Sequence, residues 1–289
     1  MDEFLFLTLP PILIAILAAI SCTLPGNFLL LSGRAMLGDA MSHVVLPGIV
    51  IAFLLTGSGS GLVMGAGALG AAGVSAVMIE YVTRRAGMEP GAAMAVVFTT
   101  MFALGVVLLE TTGTAGLHLD VEHALYGNLE SLIWLGGPPP EFLRLALIAM
   151  GLAVALGVFW RPLVLAIFDP VFAQTQGIPV RLVRAGLTAA TALAAVAAFQ
   201  AVGSILTIAM LICPAASARL LTATLPSQLA ASLGFAIASA LLGIVLAGYA
   251  PLWIGLPFTL SASGMIATVS GLLLAASALI ASHRAATAL

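Results

Sequence analysis

Lysine is missing from this 289-residue chain, and its nine basic residues are all arginine. A phosphate-binding loop of the G-x-x-x-x-G-K-[ST] type therefore cannot be built, and no basic patch or arm suits nucleic acid. Charged residues of both signs make up only 7% of the chain. Soluble domains carry roughly 25%, so a soluble globular protein is excluded. Strands that alternate apolar and polar residues are absent too, which argues against an outer-membrane barrel. Neither G-x-S-x-G nor H-E-x-x-H occurs, and with them go the usual hydrolase and zinc-protease motifs. Cysteine appears twice, as Cys22 and Cys213, both in apolar surroundings. One such pair is no disulfide framework, and both read as small core residues. The net charge of −2 says nothing about partners.

What remains is hydrocarbon, at 62% of the residues. Residues 4–33, 44–79, 185–218 and 220–283 contain no Asp, Glu, Lys or Arg. A membrane helix needs about 20 apolar residues, so each run holds at least one span and the longer ones two. The reading is an all-α polytopic membrane protein with nine spans, near 5–24, 39–57, 62–83, 91–110, 141–160, 185–201, 203–222, 228–247 and 263–283. The first span extends to 31 if 24–38 is not a broken or re-entrant piece, and eight spans result if 185–222 holds only one. With nine, Arg34, Arg84, Arg85, Arg161, Arg181, Arg184, Arg219 and Arg284 fall on one side and Arg144 alone on the other. The excess of arginine marks the cytoplasmic side. MDEFLF at the start is acidic where a cleaved signal would be basic, so the first apolar segment is expected to be retained.

Two connections stand out. The outer segment 111–140 is polar, with His118, Asp120, Glu122, His123 and Glu130 before the prolines; it reads as a solvated loop with a short interfacial helix around HALYG, the alternative being that His118, Asp120, Glu122 and His123 gather cations near the entrance. The longest cytoplasmic connection, 161–184, is broken by Pro162, Pro170, Gly177 and Pro179. No internal repeat or low-complexity tail is present, and residues 1–289 read as one membrane domain.

The chemistry concentrates in Gly33 to Gly48, GRAMLGDAMSHVVLPG. Asp39 and His43 are four residues apart, which on a helix puts both on one face, one turn apart. A carboxylate oxygen with an imidazole nitrogen suits zinc, manganese or ferrous iron. Taken singly, Asp39 reads as a helix N-cap after Gly38 and His43 as a satisfied core histidine. Taken together, ionisable groups inside a membrane are costly and mark a pathway. One copy supplies two ligands, and a two-fold dimer would supply four, enough for a four-coordinate site. Pro47 deprives the His43 carbonyl of its helical donor, and Pro214, within ICPAASAR, does the same to the Met210 carbonyl, so a kink is expected there.

GRAMLGDAMSHVVLPGIVIAFLL resembles the early signature of the zinc/manganese/iron family of ABC-transporter permeases. IFDPVFAQTQGIPV resembles its cytoplasmic stretch, AVGSILTIAMLICPAASARLL its late segment and LDVEHALYGNLE its external stretch. The four blocks stand in order and span nearly the whole chain. The resemblance implies a type II ABC-importer-like permease, homodimeric and multi-pass, in the cytoplasmic (inner) membrane of a bacterium. It implies a cytoplasmic ATPase subunit as the motor and an external metal-binding protein that docks near 111–140. Asp39 and His43 would line the metal path. Phe168, Asp169, Pro170, Gly177 and Pro179 would belong to the segment that docks on the ATPase. No resident cofactor and no enzymatic activity of its own are implied; manganese, zinc or iron would be cargo. The rivals are a proton- or sodium-coupled carrier of metal cations, an intramembrane enzyme using the Asp–His pair for a catalytic metal, and a structural assembly subunit.

Overall fold

The computed structural model describes residues 9–58, 60–111, 129, 140–253 and 260–287, with Asp39, Ser42, Pro140, Leu252, Trp253, Ala285, Ala286 and Thr287 described by their backbone alone. The external candidates His118, Asp120, Glu122, His123 and Glu130 and the HALYG stretch lie outside the described residues. Among those residues the chain is helical, without strands. Among the described residues, nine helices are long and apolar enough to cross a bilayer. They are α1 (Leu9–Leu31), α2 (Met36–Thr56), α3 (Gly61–Arg85), α4 (Pro90–Thr111), α5 (Pro140–Val158), α8 (Val180–Val202), α9 (Ser204–Leu221), α10 (Leu225–Trp253) and α11 (Ala262–Thr287). Two short helices, α6 (Trp160–Phe168) and α7 (Pro170–Thr175), occupy the connection after α5. A helix satisfies its backbone within itself, which is what a lipid environment demands of these runs.

Cross-helix bonds show how the spans alternate. Gln228, early in α10, donates from Nε2 to Asn27 Oδ1, late in α1, at 3.1 Å. Arg144, early in α5, donates to Gln200 Oε1, late in α8, at 3.0 Å. Ser263, early in α11, donates to the Val202 carbonyl at the end of α8 at 2.9 Å. In each case a helix start meets a helix end, so the partners are antiparallel. Eight arginines then share one end of the bundle, and Arg144 stands at the other. At the arginine-rich end Arg84 pairs with Glu80 one turn earlier on α3. Burial holds the Arg34 guanidinium below its ordinary range, Arg184 pushes the same way and Glu80 opposes them. The α1–α2 turn, the end of α3 and the start of α8 therefore converge.

The first span does run to Leu31, with Pro25 inside it. It ends because Gly33 turns left-handed, with φ +69°. The Gly33 N–H bonds the Leu30 carbonyl at 3.1 Å and the Arg34 N–H the Leu29 carbonyl at 2.9 Å, a Schellman closure that spends the last free carbonyls of the helix. A new helix starts at once, and the re-entrant alternative for 24–38 falls. Gly203, with φ +83° and ψ 174°, separates α8 from α9, so 185–222 holds two spans.

α1 and α2 form the interior. In their most apolar windows 72% and 69% of residues are buried, against 22% in α3, α5 and α11. The prolines are absorbed by partners. Pro214 cannot donate to the Met210 carbonyl, and the Thr23 hydroxyl of α1 does so instead, at 3.0 Å. Pro251 frees the Ala247 carbonyl, which accepts from the Leu260 N–H at 3.2 Å. α1 comes this close to α9 at Gly26, where a Cβ would collide with the Leu211 backbone carbonyl. Both cysteines are free, Cys22 fully buried and Cys213 partly so.

Candidate metal path and docking segment

α2 carries both predicted metal ligands. Its N-cap is Ala35, and no side chain caps it. Asp39 is thus the fourth residue of the helix and cannot be its N-cap, which removes the ordinary reading of that carboxylate. His43 lies seven residues beyond Met36, about two turns into the span, or about 10 Å along the helix axis at 1.5 Å per residue. The backbone places Asp39 and His43 one turn apart on one face, as the spacing requires.

The His43 imidazole is half-buried and lies against α4. Phe98 stacks on it, with ring centroids 5.3 Å apart and planes 23° apart. Phe102 meets it edge-to-face at 5.6 Å and 78°. One further turn along, a Cβ on Gly105 would stand 2.8 Å from Pro47 Cδ and 2.9 Å from Pro47 N. Phe98, Phe102 and Gly105 are a single face of α4, and His43 and Pro47 a single face of α2. The bare Gly105 lets the helices approach closely enough for the rings to meet. The pair Phe98 and Phe102 went unread in the sequence, although its four-residue spacing was there to see.

Among the described residues no three His, Cys, Asp or Glu side chains come together. Two donors on one face leave a coordination sphere incomplete.

At the arginine-rich end the predicted docking residues form one short construction. Asp169 caps α7, its Oδ1 accepting from the Phe172 N–H at 2.9 Å, and Pro170 occupies the first helical position, where a missing N–H costs nothing. Gly177, with φ +75°, closes α7: its N–H bonds the Gln174 carbonyl at 3.0 Å and the Ile178 N–H the Ala173 carbonyl at 2.9 Å. Pro179 is the N-cap of α8. Ala166, Ala173 and Val180 are buried together beneath. Phe168, Val171 and Phe172 are turned out instead, at 58%, 73% and 48% exposure. The capping residues thus hold a compact apolar knob away from the bundle, and such patches mark contacts with other proteins. Val171 and Phe172 belong to this surface and were not singled out in the sequence. Trp160 of α6 packs edge-on against Phe28 of α1, at 5.9 Å and 84°, which joins the segment to the interior.

Comparison with known proteins agrees with these features. The family model described as the ABC 3 transport family matches residues 2–282. The chain is 40% identical over 236 residues to the manganese transport system membrane protein MntC of Halalkalibacterium halodurans, covering 80% of this chain and 75% of that one. It is 38% identical over 263 residues to the manganese transport system membrane protein MntD of Bacillus subtilis, covering 89% and 86%. Among solved structures, PsaBC from Streptococcus pneumoniae in complex with Fab superposes with a TM-score of 0.79 at 25% identity, covering 96% of this chain and 93% of that one. A nine-span bundle, an acid–histidine pair on an interior helix and a capped apolar knob at the arginine-rich end thus coincide with a match over nearly the whole length, and the chain belongs to the ABC 3 transport family of metal-transporter membrane subunits.

Proposed function

We propose that this chain is the membrane permease of an ATP-driven importer of divalent transition-metal ions, working as a homodimer in the bacterial inner membrane. Manganese is the first candidate cargo, since both relatives described above are named for it; zinc and iron share the donor preferences of the site. The observation that supports the reading is the position of His43: an imidazole two turns into a membrane-spanning helix, one turn from the Asp39 backbone, on one of the two most buried helices. Asp39 and His43 from two copies replace waters that a cation sheds, and so offset its desolvation. A metal-binding protein delivers the ion at the outer face near 111–140. An ATPase subunit grips the knob built by Phe168, Asp169, Pro170, Gly177 and Pro179, and its nucleotide state biases the permease between outward and inward forms.

The test is uptake of radioactive Mn2+ into membrane vesicles carrying the chain with its ATPase subunit. Uptake should require ATP and that subunit. Asp39→Ala and His43→Ala should each lower it on the order of 100-fold, an effect of the size seen when metal-site partners are lost, while the variants accumulate in the membrane as the parent does. Normal uptake by both variants refutes the metal path, and uptake without the ATPase refutes the ATP-driven mechanism.

A further inference from the structure

We propose that Phe98 and Phe102 are positioning residues for metal uptake, one ring stacked on the His43 imidazole and the other edge-on to it, so that α2 offers its nitrogen donor in one fixed orientation. The inference rests on the metal-path reading above and extends it to two residues that carry no donor atom.

An imidazole on a helix has a broad χ2 torsion and turns freely unless something packs against it. Here one face is covered by Phe98 at 5.3 Å, and Phe102 closes a second direction at 5.6 Å. Both phenylalanines are themselves partly buried, and the two contacts come from one rigid element because the residues are one turn apart on α4. Gly105, the next residue on that face, sets the distance between the helices through its contact with Pro47. The two rings of α4 thus brace the imidazole with hydrocarbon, which neither competes for the cation nor holds on to it.

This arrangement has a definite consequence for a transport site. A donor already in orientation loses little freedom when the ion arrives. A transported ion must also leave, so the site gains from being preorganised and not from gathering more ligands. Loss of the brace should therefore appear in the affinity step, as KM, and not in the ATP-driven turnover. It should also blur the choice between ions, because Zn2+ demands tetrahedral geometry where Mn2+ accepts more and looser ligands.

Uptake of radioactive Mn2+, with Zn2+ as competitor, is measured in vesicles holding the full chain and its ATPase, for Phe98→Leu, Phe102→Leu, the double variant and Phe98→Tyr. Each leucine should raise KM about threefold and the pair about tenfold, the scale of an aromatic contact, with maximal rate per folded permease unchanged. The ratio of the Zn2+ inhibition constant to the Mn2+ KM should move by roughly threefold. Phe98→Tyr, which keeps the ring, should behave as wild type. A merely structural role would lower the amount of folded protein or the maximal rate and leave KM and the ion ratio alone. Unchanged KM in both single variants, while His43→Ala abolishes uptake, overturns the inference and leaves the metal path standing. Normal uptake by His43→Ala overturns the metal path, and the inference with it. If the double variant does not accumulate, the two single variants decide.

Discussion

α1 and α2 are equally deep in the bundle and each contains a proline, yet their polar side chains are of different kinds. Those of α1 are neutral and close on the protein itself. Thr23, Asn27 and their partners Gln228 and Ser232 are all fully buried. Asn27 Nδ2 donates to the Thr23 carbonyl and to Ser232 Oγ, each at 2.8 Å, and Asn27 Oδ1 accepts from Gln228. Among the described residues, Gln228 Oε1 is the one atom of the cluster that lacks a partner. Those of α2, Asp39 and His43, are ionisable, and the ring contacts of His43 are with two phenylalanines. Neutral amides inside a membrane bundle act as glue between helices. Ionisable groups there cost more and persist where a charged guest compensates them. The two helices therefore differ in kind: α1 holds α9 and α10 together, and α2 carries the ionisable pair proposed above for the cargo.

The sharpest way to break this division is to remove the glue. Asn27→Leu takes the acceptor from Gln228 Nε2 and a donor from Ser232, stranding buried polar groups that cost roughly 1–3 kcal/mol each. Added to the misfit of a branched side chain beside Gly26, the loss should be about 3 kcal/mol. Thermal unfolding of the detergent-solubilised permease should show the fall, while KM for Mn2+ of the protein that remains folded stays as it was. A large rise in KM with unchanged stability would reverse the roles assigned to the two helices.

Much of this is legible in the sequence. Uncharged runs located the nine spans, because lipid leaves few places for an arginine, and Arg144 is tolerated at its odd end through Gln200. The four-residue spacing of Asp39 and His43 already placed them on one face. Three things were not legible. Residues 24–38 left room for a broken or re-entrant piece, but α1 runs on through Pro25 and Gly26 to Leu31, with Gly26 against the α9 backbone, a contact made by residues nearly 190 positions away. Asp39 looked like a cap because Gly38 precedes it, whereas the turn that ends α1 lies at Gly33 and α2 begins three residues before Asp39. Phe98 and Phe102 were two of 13 phenylalanines, and only the register of α4 against α2 tells them from lipid-facing rings.

A smaller perturbation tests the α2 side. Gly105→Ala puts a methyl group 2.8 Å from Pro47 Cδ, so α4 must move back by several tenths of an ångström. Overpacking of this kind costs about 1–2 kcal/mol. Because Phe98 and Phe102 move with α4, stability and KM should change together here, in contrast to Asn27→Leu, where stability changes alone. Uptake kinetics and thermal unfolding of the same preparation make the check. A drop in stability with unchanged KM would mean that the rings follow His43 independently of the helix that carries them.

The smallest expected effect concerns Pro214 in α9. The Thr23 hydroxyl is the donor that replaces the N–H missing at Pro214. Thr23→Val keeps the shape and removes that donor, leaving the Met210 carbonyl unpaired, whereas Thr23→Ser keeps the donor and removes a methyl. Hydrogen bonds between membrane helices average about 0.6 kcal/mol and reach about 1.7, so Thr23→Val should cost about 1 kcal/mol, read as a lowered unfolding temperature. Thr23→Ser loses packing instead of a bond. If the hydroxyl matters because it satisfies the freed carbonyl, amide exchange of the α9 residues around Met210 should speed up in Thr23→Val and not in Thr23→Ser. Equal exchange in the two variants would show that α9 around Pro214 is held by packing at Gly26 alone, and that the neutral polar groups of α1 contribute less to the bundle than its closeness to α9.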